Sequence, residues 1–556
     1  MKPTYLIIVF LLFISLPINA QLSEAETAKI DSLFLNWTKD NSPGGAIGIM
    51  QNNKVVYSKA FGLASLEYKV PNTTETIFNT GSVSKQFTAM GIVLLHQKGL
   101  LNVNDDIRKH LPDLPDFGHV ITIKHMLHHT SGMRSLHAML NLAGWRGDDS
   151  RTNADLYRFM LKQKELNFKP GDEYLYCNTG YMLMVNIIEK ITNEKFPEWM
   201  KANIFEPLGM ENTYVEDLYS RIVPNNATSY RQRANDMIRA VEYWGYVGSG
   251  NMHSTTSDLL IWLNHFDKPN STWSAAFKIM QMVTKLNDGS ENPYAFGVGI
   301  NEINGYKKIQ HGGAIGGFRS YVSTYPEKEL SIAILTNFSS SNPGGKESQI
   351  ANILLDKKEV SETEKSKKMV EKPAIKVAVK NLYQFEASYW NDKENSSRKI
   401  YVKNDTLRYS RSNNDESPLV PISSNEFKMI GPPNYLVVKF NLTENGLKTM
   451  QVSVDNGPFS YAEAYGILTN TTKNMTDYVG RFYSPELEST YDILIKNERL
   501  IAHHARHGDL PIKILKKDVL EIPQTAIIKY ERKDDQTVNG IRISNGRARN
   551  VWFKKQ

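Results

Sequence analysis

A run dense in lysine, glutamate and serine covers residues 357–372, ends at Pro373, and divides this chain into two parts with different periodicities. Such a segment (357–375 with its flanks) holds too little apolar surface to bury and reads as a solvated linker. Beyond it come short alternating runs separated by turns, and the pattern repeats. Residues 385–389 align with 478–482, residues 400–407 with 493–500, and the turn dipeptide Asn445-Gly446 with Asn539-Gly540. A strand-rich unit used twice, with six to eight strands in each copy, predicts two small antiparallel β-barrels, at 376–470 and 471–556.

The first part reads differently. Ser23 and Glu26 fit a capping box ahead of an apolar stripe of Ile30, Leu33, Phe34 and Trp37. Residues 44–50 and 55–58 alternate as strands around a Gln51-Asn52-Asn53 turn. A mainly helical stretch follows over about 105–266, and strands return at 296–301, 307–311, 318–324 and 330–335. Strands at both ends with helices between predict an α+β domain over 21–356. Its single antiparallel sheet is built from the two ends and flanked by helices.

Length and composition set the class. The chain has 556 residues, 41% apolar and 22% charged, which suits a globular protein with a large core. Its net charge of +7 is dispersed, with no basic helix or aromatic-basic stripe, so nucleic acid is excluded as a partner. Lys2, an apolar run at 5–16 and Ile18-Asn19-Ala20 make residues 1–20 a secretory signal peptide. The expectation is a periplasmic or secreted protein with no stable membrane insertion after cleavage. Cys177 is the only cysteine, so no intrachain disulfide can form.

Three short stretches carry chemistry. Gly81-Ser82-Val83-Ser84-Lys85 opens a segment in which Phe87, Met90, Val93 and Leu94 repeat at helical spacing, and Gly99 stops it. Ser82 then sits on the first helical turn, with Lys85 over the same face. A serine hydroxyl needs such a neighbour, because unaided it does not ionise near neutral pH. Tyr176 and Asn178, after the Pro170-Gly171 turn, lie on a loop entering a second apolar helix. A tyrosine there can relay protons, and an asparagine can hold both a lysine and a substrate amide. His311-Gly312-Gly313-Ala314 closes one strand and starts another, where the Ala314 N–H could join that of Ser82 as an oxyanion hole. Each spacing alone is common: Ser-x-x-Lys recurs at Ser396 and Lys399, and Tyr-x-Asn at Tyr389 and Asn391.

Two histidine-rich stretches remain open to more than one reading. His125, His128 and His129 could share a helical face as metal ligands or pack with satisfied hydrogen bonds. Residues 502–509, with three histidines and Arg506, could form an exposed hairpin loop or reach into the cleft and select the substrate's end.

Taken in order, Ser82-x-x-Lys85, Tyr176-x-Asn178 and His311-x-Gly313 resemble the serine β-lactamase and penicillin-binding protein superfamily, in its class C-like form. Phe78-Asn79-Thr80-Gly81, Thr130-Ser131-Gly132 and Gly250-Asn251-Met252-His253-Ser254 look like the same family, and the resemblance covers about residues 22–355. It implies that Ser82 is acylated, that Lys85 and Tyr176 act as base and proton shuttle, and that Asn178, His311, Gly312, Gly313 and Ala314 line the substrate site. No metal or organic cofactor is implied. Cys177 stands where the family often has serine, with no histidine base evident beside it. The usual Lys-Thr-Gly or His-Thr-Gly is absent here, which looks more like the D-aminopeptidase and esterase branches, and D-aminopeptidase-like relatives carry lipocalin-like barrels after the catalytic domain. The expected substrate is a D-amino-acid amide or short peptide, peptidoglycan-derived fragments included. The alternatives are a carboxylesterase or β-lactamase of the superfamily, or a non-catalytic module binding cell-wall fragments or lipids.

Overall fold

The computed structural model describes residues 22–556 apart from 235, 269, 359–371, 413–414, 432–434, 443–445, 455–456, 458 and 467–474. The secretory segment, most of the charged linker and part of the turn at 445–446 fall outside the described residues.

Helix α1 (Glu24–Ser32) starts with the expected capping box. The Ser23 hydroxyl accepts from the Glu26 N–H, and the Glu26 carboxylate accepts from the Ser23 N–H. Six strands then make one antiparallel sheet: β1 (Gly45–Gln51), β2 (Lys54–Phe61), β3 (Gly299–Ile303), β4 (Tyr306–Ile315), β5 (Phe318–Tyr325) and β6 (Leu330–Thr336). Their spatial order is β3-β4-β5-β6-β1-β2. Gly45 lies opposite Thr336 and Gln51 opposite Leu330, so the two ends of the domain are joined at the centre of the sheet. The other principal helices are α2 (Ser84–Gln97), α3 (Asn178–Thr192), α4 (Thr256–Asn264) and α5 (Pro343–Leu354).

Alternation along the strands sorts the two faces. Ile47, Ile49, Ile332 and Ile334 pack with Ile30, Phe34 and Trp37 of the N-terminal segment and with Ile350 of α5. Ala46, Ala333 and Leu335 face the main core, which includes α2, α3 and α4. Helix α2 is buried on nearly every side, so its sequence shows an apolar run rather than one clean stripe. It ends as expected, with Gly99 in the left-handed region at φ +69°.

Three boundaries differ from the sequence reading. Strand β3 starts at Gly299, because Gly297 turns at φ +76° and the Ala295 N–H donates to the Val298 carbonyl. His311, Gly312 and Gly313 lie inside the single strand β4 instead of joining two strands, and the turn falls at Gly316. The mainly helical stretch also contains short strands. One of these, Met252–Ser254, pairs with Phe78–Asn79 just ahead of Ser82 and so braces the chain where it enters the Ser82 turn.

The repeated tail forms two β-rich bodies. The first is a closed eight-stranded barrel running from Ala387–Asn391 to Ser460–Tyr465, whose last strand pairs back with its first. The second is a nine-stranded antiparallel sheet, one strand more than the six to eight expected. Its two edge strands, Gly508–Pro511 and Lys513–Lys516, are separated in the chain only by Ile512, so the sheet curls until its edges meet. The break at Ile512, whose N–H donates to Leu500, splits one run into two strands. The repeat is visible in matching hairpins: Asn404-Asp405 in one copy and Asn497-Glu498 in the other all have positive φ.

The second barrel does not hang free. Phe482, Tyr491, Ile493 and Phe553 belong to the same buried cluster as Met139, Leu140 and Leu142 of the catalytic domain. At this seam Arg134, wholly buried, donates to Glu486 at 2.6 Å and to the carbonyls of Arg549 and Asn550. Arg542 pairs with Glu165 and Arg549 with Glu173.

Candidate active site

Ser82 lies on a tight turn, Gly81–Val83, immediately before α2, and not within the first turn of the α-helix proper. Gly81 adopts φ +53°, and a Cβ there would sit 2.7 Å from the Ala314 nitrogen. A Cβ on Gly313 would meet the Thr80 carbonyl oxygen at 2.0 Å. Two glycines thus allow the nucleophile turn and β4 to touch backbone to backbone. That contact brings Ser82 and Ala314 to one cavity, the arrangement an oxyanion hole requires.

Lys85 is fully buried, and its Nζ donates to Ser82 Oγ at 3.2 Å and to the Ser249 carbonyl at 2.6 Å. Burial, and then the positive charge of Arg547, hold its pKa well below the usual lysine value. As a neutral amine it can still donate one N–H to Ser249 while turning its lone pair to the serine proton.

The Tyr176 ring lies 4.9 Å from Lys85 Nζ. Its hydroxyl faces Ser82 and Tyr294 without a hydrogen bond at bonding distance, and burial pushes its pKa far up, so it stays protonated. A held proton is what a relay to a leaving group needs. Asn178 begins α3 and lines the cavity with Ser82; its Oδ1 is buried and unpartnered, open to a substrate N–H.

His311 sits differently from the other expected residues. Burial, then the Lys85 charge, lower its pKa to about 3, so it is neutral. Its Nδ1–H donates to the Gly312 carbonyl and its Nε2 accepts from the Tyr294 hydroxyl. Both nitrogens are occupied, and the ring backs Tyr176 instead of lining the cavity. Gly312 and Gly313 contribute backbone proximity, and Ala314 lines the cavity.

The three clustered histidines divide their work. His125 Nδ1 accepts from Thr122, His128 Nδ1 meets the Tyr294 carbonyl, and His129 Nδ1 accepts from the Cys177 N–H. Among the described residues, no group of three His, Cys, Asp or Glu side chains is placed to hold a metal ion. His129 is thus beside Cys177 after all, but it holds the backbone that carries Tyr176, and its ring packs 4.1 Å from that tyrosine. The Cys177 thiol is buried, donates to the Met133 carbonyl, and is raised in pKa by burial.

The tail contributes a residue that the sequence reading missed. Loop 502–509 does not enter the cleft. His504 bonds Ser489 within the barrel itself, while His507 meets the Asn141 carbonyl and Arg506 pairs with Asp149 on the flank of the first domain. The hairpin at 545–549 arrives instead. The Arg547 carbonyl accepts from Ser135 and Asn167, and its guanidinium lies 5.0 Å from the Tyr176 ring. Nothing local marks this arginine, whose role depends on a contact between distant parts of the chain. The cavity beside Ser82, about 300 Å³, is further lined by Arg151, Trp244 and Arg319, also outside every motif.

Fold and site together define a serine hydrolase. The family model described as beta-lactamase matches residues 28–356, and the chain belongs to that family. Penicillin-binding protein 4* of Bacillus subtilis (strain 168) is 28% identical over 323 residues, 55% of this chain and 71% of that protein. The D-aminopeptidase of Gluconobacter oxydans (strain 621H) is 26% identical over 298 residues, 53% of this chain and 56% of that protein. The chain thus spans between 56% and 71% of the length of these two curated relatives. Among solved structures, the octameric penicillin-binding protein homologue from Pyrococcus abyssi matches with a TM-score of 0.53 and 24% identity, over 78% of this chain and 99% of that one. The D-amino acid amidase from Ochrobactrum anthropi SV3 matches at 0.51 and 20%, over 59% and 98%. At these identities the structural likeness speaks for the fold alone.

Proposed function

We propose that this chain is an exported hydrolase that forms an acyl-enzyme on Ser82 with small amides, short peptides or esters, D-amino-acid peptides and amides foremost. The observation that carries this reading is the 3.2 Å contact of a buried lysine with the serine hydroxyl. Neutral Lys85 takes the Ser82 proton as Oγ bonds to the substrate carbonyl carbon. The oxyanion is held by the N–H groups of Ser82 and Ala314. The Lys85 proton passes through Tyr176 to the leaving amine or alkoxide as its bond to carbon breaks. Water, deprotonated by the same pair, then hydrolyses the ester on Ser82 and regenerates the free serine.

The named relatives support the substrate class: one is a D-aminopeptidase and one a penicillin-binding protein. The neutral, doubly bonded His311 supports it too, since the usual cation is missing from that position of the strand. Export rests on residues 1–20 of the sequence.

The test is covalent labelling with a fluorophosphonate or fluorescent penicillin, followed by mass spectrometry. The adduct is expected on the peptide holding Ser82 and absent from Ser82→Ala. Equal labelling of that variant overturns the reading. Turnover of a panel of D-amino-acid p-nitroanilides, short esters and a chromogenic cephalosporin ranks the substrate classes, and hydrolysis of the cephalosporin alone reverses the preference stated here.

A further inference from the structure

The wall of the cavity beside Ser82 carries positive charge for which the fold has no use. Arg151 is only 9% exposed, and its Nε has no hydrogen-bond partner. Its Nη2 donates to the Arg146 carbonyl, and the guanidinium carbon lies 5.7 Å from the Trp244 ring. The acids closest in sequence are engaged elsewhere, Asp148 with Arg146 and Asp149 with Arg506. Arg319 is held only by the carbonyls of Gly316 and Phe318. Glu242, beneath Gly316, bonds the Ser229 hydroxyl. Burial raises its pKa to about 8, so near neutral pH it is largely uncharged and leaves Arg319 uncompensated. Among the described residues neither arginine of this cavity forms an ion pair, and no carboxylate lines it. Buried cations are ordinarily paired, because removing a charge from water is costly. Two unpaired guanidiniums around one cavity are complementary to an anion.

The cavity also has a direction. It runs from Ser82 along Ala314, Ile315 and Gly316, and neither Tyr176 nor His311 lines it. Tyr176 serves the leaving group, so the cavity receives the acyl half of the substrate. We propose that Arg151 and Arg319 form a subsite for a carboxylate on the acyl portion of the substrate. This rests on the acyl-enzyme reading above and narrows its substrate class to acyl groups with an anionic end.

The test separates binding from turnover. Full-length Ser82→Ala protein is titrated calorimetrically with N-succinyl-D-alanine p-nitroanilide and with N-propionyl-D-alanine p-nitroanilide, which share a leaving group and differ by one carboxylate. The succinyl compound is expected to bind at least about tenfold more tightly. Adding Arg151→Met or Arg319→Met should bring the ratio to within about twofold. Arg151→Lys and Arg319→Lys keep a charge and should retain part of the preference, which guards against a folding defect. Equal affinity, no binding of either compound, or a preference that survives both methionine substitutions overturns the subsite. Fluorophosphonate labelling of the wild type, run in parallel, reports on the nucleophile. Labelled Ser82 without carboxylate preference removes only the subsite, whereas unlabelled Ser82 removes the acyl-enzyme reading itself.

Discussion

Arg547, carried by a hairpin of the second barrel, places its guanidinium carbon 5.0 Å from the ring centroid of Tyr176 in the catalytic domain. Lys85 Nζ stands 4.9 Å from the same ring. The nearby arginine charge, after burial, lowers the readiness of Lys85 to hold its proton.

The pH profile is the place to see this. In the proposed mechanism Lys85 must be neutral to act, so activity falls as pH drops through its depressed pKa. Arg547→Met removes a positive neighbour, lets the lysine pKa rise, and is expected to move the acid limb of kcat/KM to higher pH. An unmoved limb means that burial alone sets the lysine.

Tyr176→Phe removes the proposed proton relay and leaves the ring contacts with His129 and Lys85 in place. The expected result is a fall in kcat of about 10²–10⁴-fold with little change in KM, measured by steady-state kinetics on a p-nitroanilide.

The seam between domains rests on a buried ion pair. Glu486→Gln leaves the buried Arg134 charge with only the half-exposed Glu165, at 3.4 Å, as an acidic partner, which should cost up to about 3–5 kcal/mol in denaturant unfolding. Arg134→Met combined with Glu486→Met should recover a good part of that loss, because the desolvation cost disappears with the charges.

Glu242 gives a pH signature of stability. Its pKa rises from 4.5 in the unfolded chain to about 8 in the fold, so the folded state binds the extra proton. Its contribution is fully present below about pH 4.5 and lost as pH rises towards 8. Unfolding free energy measured between pH 5 and 8 should therefore decline less steeply in Glu242→Gln than in the wild type.

Much of this molecule was legible locally. The capping box at Ser23 and Glu26 closes within one turn, whereas Ser82 and Lys85 stand out only when the three motifs are taken in order, because Ser-x-x-Lys alone recurs at Ser396 and Lys399. The central strand pairing of the sheet followed from apolar alternation at both ends of the domain. Gly312 and Gly313 read as a turn because glycine is a turn former, yet here they allow a straight strand to press on the Thr80–Gly81 backbone. Histidines drew attention to loop 502–509, but composition does not say where a loop docks, and the hairpin at 545–549 is unremarkable in sequence. Arg151 and Arg319 were missed for a related reason: their meaning lies in the absence of a partner, which only coordinates reveal.

The match to the family model ends at residue 356, whereas the charge that bears on Lys85 is supplied at residue 547. A fragment cut at the end of that match would keep every motif residue and yet expose a raw apolar flank where Leu140 and Leu142 now meet the second barrel. It would also run on an altered base. For this chain the smallest working unit is larger than the smallest recognisable one.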